Sequence, residues 1–550
     1  MQAKTSKKVS PCFNKLYYTY NLIMRKAFII SIVPTWGFIY ALGYFIHEGF
    51  FYLYGIVIPF HALGIRDMVQ KKHTILRNYP VLGHFRYLLE SIRPEIQQYF
   101  IERFDDGTPF SREQRSVVYQ RAKGDLDTSA FGTEHDVYRA GAEWMEHSMQ
   151  PVHHTEITEK IKLGNHQCTK PYMASRFNIS AMSYGSLSRT AVEAMGLGAK
   201  MGGFLHNTGE GGISPYHKKH GEDLCWQIGT GYFGCRNKDG TFNPDMFAER
   251  AGWDQVKVIE LKISQGAKPG HGGMLPGKKV NQEIADIRAV EIGKDVNSPP
   301  AHSAFTDPKG MVKFLQRLRE LSGGKPVGFK LCVGKKVEFF CLIKAMIELD
   351  IYPDFITVDG SEGGTGAAPR EFANHIGTPL YDGLNFVHYA LVAAGIRDHM
   401  RLIVSGKVTD AFSMVTKFAM GADMCNSARG MMFAVGCIQA LRCNSNDCPT
   451  GVATQDPELY KLVDVPSKAE RVASYHKRTL NEAAHLLGAS GINKIRELKK
   501  VHIKRRIGPG QVMNYSELYP KMKPNSLIDG SYQGNWRMIW DRATSEAFIN

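Results

Sequence analysis

Three cysteines, Cys437, Cys443 and Cys448, stand in GCIQALRCNSNDCPTGVATQ with a C-x5-C-x4-C spacing and a Pro after the third. Thiolates are the usual ligands of iron–sulfur clusters, and three close together suit a cluster of three irons. A zinc site, or plain buried cysteines, would account for the spacing as well. Two other stretches, Val404–Asp410 (VSGKVTD) and Asn426–Met431 (NSARGM), each combine a Gly with a cation, Lys407 or Arg429. The first is expected to open into a helix, whose leading N–H groups together with the cation would bind a phosphate. The Gly-rich run Asp359–Pro369 (DGSEGGTGAAP) would let backbone approach a ligand closely. Taken singly, each of these reads equally well as turn glycines. Gly229–Gly234 (GTGYFG) matches the dinucleotide pattern, but Cys235 to Gly240 after it is not a helix start, so no nicotinamide domain is expected.

The elements that must position these residues follow from hydrophobic alternation. Short apolar runs ending in Gly, Ser, Thr or Asn alternate with amphipathic segments, the signal of parallel β/α units. Strands are expected at Phe177–Ser183, Gly203–Thr208, Leu224–Gly229, Lys257–Ser264, Pro326–Val333, Phe355–Gly360, Arg401–Gly406 and Met424–Ala428. Intervening helices include Ser188–Met201, Pro308–Ser322, Val337–Leu349, Gly383–Ala394 and Thr409–Met420. Eight such units suit an α/β closed (β/α)8 barrel, with a doubly wound sheet as the alternative. The phosphate-type loops then fall after the last two strands, where barrels hold phosphate.

The chain has 550 residues, 43% hydrophobic and 22% charged, with a formal charge of +15. That charge suits anionic membranes or acidic substrates. Nucleic acid is not expected, because Lys and Arg are spread and no basic run is interleaved with aromatics. Ten cysteines in so long a chain are no disulfide framework, which points to a reducing compartment. Ala27–Phe45 is free of charge, and Gly49–Ile65 is interrupted only by His61; both have the length of a short membrane span. Lys4, Lys7, Lys8, Lys15, Arg25 and Lys26 precede the first, and Arg66, Lys71 and Lys72 follow the second. This predicts a two-pass hairpin with both ends, and the large domain, on the cytoplasmic side. A signal peptide or a buried core hairpin is the competing reading. The expected organisation is a basic segment (1–26), two spans (27–65), a helical connector packing on the barrel (66–164), the barrel domain (165–502) and a loop-rich tail (503–550). Within the connector, Tyr87–Glu102 has helical apolar spacing interrupted by Pro94.

The cysteine segment, down to its trailing GVATQ, resembles the cluster-binding loop of glutamate synthases. The likeness extends through SAMSYGSLS (Ser180–Ser188), NTGEGG (Asn207–Gly212), QGAKPGHGGMLPGKKV (Gln265–Val280), SPPAH (Ser298–His302) and DGSEGGTGAAP, over roughly residues 170 to 490. It implies a TIM barrel that binds FMN and a 3Fe–4S cluster. In that family ammonia and 2-oxoglutarate form 2-iminoglutarate, which reduced flavin converts to L-glutamate. Carried over by position, Ser183, Thr208, Gln227, Lys262 and Lys330 line the flavin ring, and Gly363, Gly364, Gly406, Lys407 and Arg429 take its phosphate. Lys268 and Arg288 hold the oxoacid carboxylates, and Glu210 contacts the amine or imine. A surface-pair reading stays open for Lys268 and Arg288.

The resemblance also has gaps. The family usually has Glu and Gln where this chain has His271 and Met274. Met274 removes a polar contact from the oxoacid site, a loss of about 1–3 kcal/mol in a buried setting. No glutaminase domain with a leading Cys and no long β-helical domain is recognisable. Ammonia is therefore expected free or from a separate source, and electrons from ferredoxin, a reductase subunit or membrane quinone. The competing functions are a membrane-bound flavin and iron–sulfur electron-transfer protein, and an amino-acid dehydrogenase with a different substrate. A purine nucleotide dehydrogenase would need a nucleophilic Cys that Val404–Phe412 lacks.

Overall fold

The computed structural model describes residues 11–153, 157 and 159–549, with side chains from Met24 onward. Lys4, Lys7, Lys8 and the side chain of Lys15 lie outside the described residues. The chain divides into two compact units, meeting in sequence at Arg103 and Phe104.

In the first unit, helix α1 (Pro11–Phe45) and helix α2 (Tyr54–Val69) are joined by a 3-10 turn, Glu48–Leu53. Met24–Phe45 and Glu48–Val69 are each long and apolar enough to cross a membrane. Their apolar side chains mostly face outward: Ile30 is 68% exposed and Val33 78%. A soluble core hairpin would bury such residues. The inward contacts are few and specific. Trp36 Nε1 donates to His61 Nδ1 at 2.9 Å, and the Phe28 ring packs on Gly64, where a Cβ would collide with it. Helix α3 (Thr74–Asn78) and helix α4 (Gly83–Ile96) follow. Pro94 does not end α4; a π turn over Gln97–Ile101 follows it, a common way for a helix to take up an irregularity.

The second unit is built on a closed barrel of eight parallel strands. In chain order these are β1 (Phe177–Ile179), β2 (His206–Asn207), β3 (Leu224–Ile228), β4 (Val256–Lys262), β5 (Val327–Leu331), β6 (Phe355–Asp359), β7 (Arg401–Ser405) and β8 (Met424–Ser427). Each pairs with its sequence neighbours, and β8 closes on β1 through Cys425, Asn426 and Ser427 opposite Phe177, Asn178 and Ile179. The expected helices form at Arg189–Gly202, Pro308–Leu321, Lys336–Leu349, Leu380–Ala393 and Ala411–Ala419. Three of these five starts are set by the side chains of Ser188, Asp307 and Asp410, which accept from backbone N–H groups of the first turn.

Strand alternation divides the barrel interior into two levels. Toward the strand starts, Leu205, Cys225, Val258, Phe355, Ile403 and Met424 form an apolar layer. The antiparallel pair Ile161–Leu163 and Tyr172–Ala174 closes that end. Gly328 makes room for Phe355, whose carbonyl oxygen would lie 2.3 Å from an added Cβ. One or two residues further along each strand the interior turns polar, with Asn207, Gln227, Glu260, Lys330, Thr357, Asp359 and Ser405 all buried.

The segments flanking the barrel are more ordered than their composition suggests. Helix Arg112–Lys123 is framed by a Ser111/Gln114 capping box and by Gly124 at φ 77°. Strand Glu143–Met145 pairs with Ile503–Gly508, which pairs in turn with Gln511–Asn514. Connector and tail thus share one antiparallel sheet, assembled through backbone hydrogen bonds that apolar periodicity does not announce.

Beneath the apolar layer, Asp354 is fully buried and accepts from Arg319 Nη2 at 3.1 Å, Val327 N at 2.8 Å and Asn165 N at 2.7 Å. Replacing Arg319 by Met would leave this carboxylate without its cation. We expect Arg319→Met to cost about 3–5 kcal/mol in denaturant unfolding of the barrel. A loss under about 1 kcal/mol would show that the two backbone N–H donors, Val327 and Asn165, suffice.

Candidate active site

The polar strand ends open into a cavity at the C-terminal mouth of the barrel. It encloses about 1110 Å³ of space, mouth included. Lys262, at the end of β4, is its central cation: Nζ lies 2.7 Å from Glu210 Oε1 and 2.7 Å from Gln265 Oε1. Glu210 reaches it from the loop after β2, between Gly229 and Gly273, where an added Cβ would come within 2.6 Å and 2.4 Å of the carboxylate oxygens. Burial opposes the charge on Glu210. The pull of Lys262, reinforced by Lys268 and Arg288, outweighs that and holds its carboxyl below the ordinary value.

Lys268 faces the same cavity and donates to Ala367 O at 2.9 Å. Burial, then repulsion from Lys262, brings its ammonium down to about 8, with Glu210 pulling the other way. Lys330, on β5, lies 3.2 Å from Asp359 Oδ2. Burial would strip its proton, but Asp359 and then Glu260 more than compensate and hold it charged. Glu260 is itself fixed by three neutral donors: Asn207 Nδ2 at 2.9 Å, Gln227 Nε2 at 2.5 Å and Thr357 Oγ1 at 2.6 Å. Asp359 also accepts from Gly266 N at 2.8 Å and from Ser405 Oγ.

Ser183, Gln227, Gly363, Gly364, Gly406, Lys407 and Arg429 line the cavity as well. Gly364 packs against the guanidinium of Arg429, and a Cβ there would lie 2.9 Å from Nε. Arg429 in turn donates to Thr365 O at 2.9 Å, fastening the Gly-rich loop to the loop after β8. Gly406 has φ 145° and Lys407 φ 47°, so the turn after β7 exposes backbone toward the cavity. The helix that follows is not free to bind an anion at its start, because Asp410 Oδ1 already accepts from Ser413 N at 2.8 Å. One N–H of the expected helix start is therefore engaged, and the turn at Gly406 lines the cavity together with Lys407 and Arg429.

Two expected residues do not line the cavity. Thr208 turns away from it; its Oγ1 donates to Gly209 O at 3.0 Å and accepts from Gln227 N at 3.3 Å. Arg288 is buried behind Ser183, donating to Tyr184 O at 2.9 Å and Ser183 Oγ at 3.3 Å, with its guanidinium 5.2 Å from the Phe233 ring centre. Burial lowers it to about 10 despite Glu210 nearby.

The three motif cysteines surround a second, smaller cavity, whose wall shares Arg429, Met432, Cys443 and Ala453 with the first. Burial raises the Cys437 thiol to about 11 against the backbone N–H of Gln439 and the charge of Arg429. Among the described residues no three Cys, His, Asp or Glu side chains converge as they would on a single metal ion. In the same loop Gln439, Leu441 and Asn446 hold φ of 59°, 56° and 71°, conformations that side chains rarely adopt and that gather at functional sites.

This loop is held from two sides. Tyr119 Oη donates to Cys437 O at 2.7 Å, and Gln439 Oε1 accepts from Phe110 N at 3.2 Å. From the other side Lys279 Nζ donates to Ala453 O at 2.7 Å and Ser186 O at 2.9 Å, and Gln455 Nε2 donates to Leu187 O at 2.8 Å. The cysteine loop and the Ser180–Ser188 loop therefore share fasteners.

Residues 128–493 match the family model described as the conserved region in glutamate synthase. The chain belongs to the glutamate synthase family. A glutamate synthase large subunit-like protein, YerD, of Bacillus subtilis (strain 168) is 39% identical over 502 residues, 84% of this chain and 95% of its own. An archaeal-type glutamate synthase (NADPH) of Thermotoga neapolitana is 32% identical over 346 residues, 63% of each chain, so the match spans under two thirds of that relative. Among solved structures, the flavin-binding domain of baker's yeast flavocytochrome b2 covers 86% of this chain and 96% of its own at 11% identity and a TM-score of 0.39. At that score it adds nothing to what the barrel itself shows. As a glutamate synthase family member the chain is an oxidoreductase.

Sequence reasoning missed Glu260, Asp359, Lys279, Phe110 and Tyr119. Glu260 and Asp359 sit inside apolar strands, and an acidic residue at an inward strand position was the available signal. Phe110 and Tyr119 carry no signal, since nothing in the local sequence says what they face. Glu210→Ala would leave Lys262 and Lys268 facing each other without a counter-charge. We expect it to destabilise the barrel by about 3–5 kcal/mol and to make the midpoint rise when sulfate or citrate is added. A variant with unchanged stability and no anion response would show that Lys262 does not depend on Glu210.

Proposed function

We propose that this enzyme uses FMN and a 3Fe–4S cluster to reduce a 2-imino acid, formed from ammonia and 2-oxoglutarate or a similar oxoacid, to an L-amino acid such as glutamate. The observation that carries the reading is that the phosphate-type loops, the strand-end lysines and Glu210 all face one cavity, with the cysteine loop against its wall.

The residues present fit FMN. Gly363, Gly364, Gly406, Lys407 and Arg429 would hold its phosphate, in a cradle that a Cβ at Gly364 would fill. Asn426 lines the cavity and has a buried Oδ1 without a hydrogen-bond partner among the described residues, matching a ligand N–H or hydroxyl. Ser183, Gln227 and Lys330 would border the ring, with Thr208 acting through Gln227. Bound FMN supplies the hydride that reduces an imine carbon. Lys330, kept charged by Asp359 and Glu260, would offer a cation to the negative charge of reduced flavin. The cysteines Cys437, Cys443 and Cys448 line one cavity and would supply thiolates to the cluster.

For the substrate, Lys268 offers an ammonium to a carboxylate, Lys262 holds Glu210 in place, and Glu210 can accept from an amine or imine N–H. Arg288, enclosed behind Ser183, would act on the oxoacid through the Ser183 loop. Met274 is 36% exposed and lines the same cavity without a polar head, which favours an oxoacid differing from 2-oxoglutarate at its far end. We further propose that the two apolar helices anchor the chain in a membrane with the barrel on the cytoplasmic side, and that electrons come from ferredoxin, a reductase subunit or quinone. A separate source would supply the ammonia.

The test is an absorption spectrum of detergent-purified full-length protein, with released flavin and iron quantified, beside Cys443→Ala. Flavin bands and iron that falls with the substitution are expected; a preparation that stays colourless after anaerobic reconstitution would sink the proposal. The Lys268 shift makes a second prediction. Its ammonium is present below about pH 8 and lost above it, so KM for the oxoacid should climb as pH rises through that value. In Lys268→Met the KM should be raised about tenfold or more and no longer respond to pH there. An unchanged pH profile would remove Lys268 from the carboxylate site.

A further inference from the structure

One helix face in the first unit is bare. Helix α4 and the π turn after it carry Phe85, Leu88, Leu89, Ile92, Tyr99 and Phe100, which recur at helical spacing and fall on one side. Phe85 is 65% exposed and Phe100 84%, and none of the six is below 39%. Arg86 and Arg93 flank the stripe, and Glu90 and Gln97 lie further round the helix, as expected of an amphipathic helix with an unmet apolar stripe.

The helix is held in place. Asp67, buried at the end of α2, accepts from Val81 N and from His84 Nε2, both at 2.9 Å. Val81 itself has φ 63°, so the chain turns sharply there. Leu76 fills the space beneath Gly83, where an added Cβ would lie 2.8 Å from it. These contacts set the angle at which α4 departs from the apolar hairpin, immediately beyond the point where the second apolar stretch ends at Val69.

We propose that α4 lies in the plane of a lipid bilayer surface, with its apolar stripe sunk into the boundary between headgroups and acyl chains. Three features select lipid as the occupant. The stripe continues from an apolar hairpin and is clamped to its end. Aliphatic and aromatic side chains share the stripe, a mixture suited to the interfacial zone. Lys71, Lys72 and Arg77 precede the helix in the chain, and Arg86 and Arg93 flank the stripe, cations that would meet anionic headgroups. The inference rests on the membrane reading of the hairpin and extends it to a helix that does not cross.

The test uses the full-length protein in nanodiscs containing anionic lipid. An environment-sensitive fluorescent amino acid replaces, one at a time, Leu88 or Phe100 on the stripe, Glu90 or Gln97 further round the helix, and Ile30 in the hairpin. Lipid brominated near the headgroup should quench the probe at Leu88 and Phe100 at least about twofold more than at Glu90 and Gln97, and lipid brominated deep in the chain should quench Ile30. Quenching at Ile30 with no difference between the two faces of α4 overturns the inference while leaving the anchor intact. Blue-shifted emission at Leu88 and Phe100 that brominated lipid does not quench also overturns it, and identifies a protein partner or a second copy on the stripe. No quenching at Ile30 removes the membrane reading and this inference together.

Discussion

The mouth of the barrel brings four cations, Lys262, Lys268, Lys330 and Arg288, against three carboxylates, Glu210, Glu260 and Asp359. Charge in so little water persists only where each group has a partner. Glu260 is held by three neutral donors, Asp359 by Lys330 and the Gly266 N–H, and Glu210 by Lys262. That leaves an excess of one positive charge around the cavity, before Lys407 and Arg429 are considered. Such an excess of positive charge suits an anionic ligand. The alternation of the strands, the apolar layer beneath and the glycines around Glu210 can all be understood as the scaffold that lets these charges share one enclosed space.

The second organising feature is mechanical. Lys279 and Gln455 tie the cysteine loop to the Ser180–Ser188 loop through main-chain carbonyls, while Tyr119 and Phe110 brace it from the opposite side. Three non-glycine residues in the left-handed region are affordable only in a loop so constrained. Arg429, Met432, Cys443 and Ala453 belong to the walls of both spaces.

The barrel was legible because its signals are local. Each strand is a short apolar run with a polar or glycine stop, and all eight expected strands form, shortened mainly at their ends. His206–Asn207 is the extreme case, two residues where six were expected, because Gly203 is taken up in capping the helix before it, although Thr208 N still donates to Cys225 O at 3.0 Å. The cavity residues that motifs single out were legible for the same reason. Residue type alone did not indicate that the Arg288 guanidinium is enclosed behind Ser183. Phe110, Tyr119 and the sheet joining Glu143–Met145 to Ile503–Gly508 depend on contacts across hundreds of residues, and no local pattern encodes such a pairing. Pro94 was a misleading local signal, because the helix simply passes through it.

That sheet has a consequence for how the molecule is made. Glu143–Met145 precedes every barrel strand, yet its partner Ile503–Gly508 leaves the ribosome only after all eight have been synthesised. Domains tend to fold in the order of synthesis, from the N-terminal side. Here the strand Glu143–Met145 must wait for its partner until translation is almost complete. Completion of the fold is thus a late event in biogenesis, and a nascent chain stalled before its last strands would expose an open sheet edge of the kind that chaperones and proteases survey.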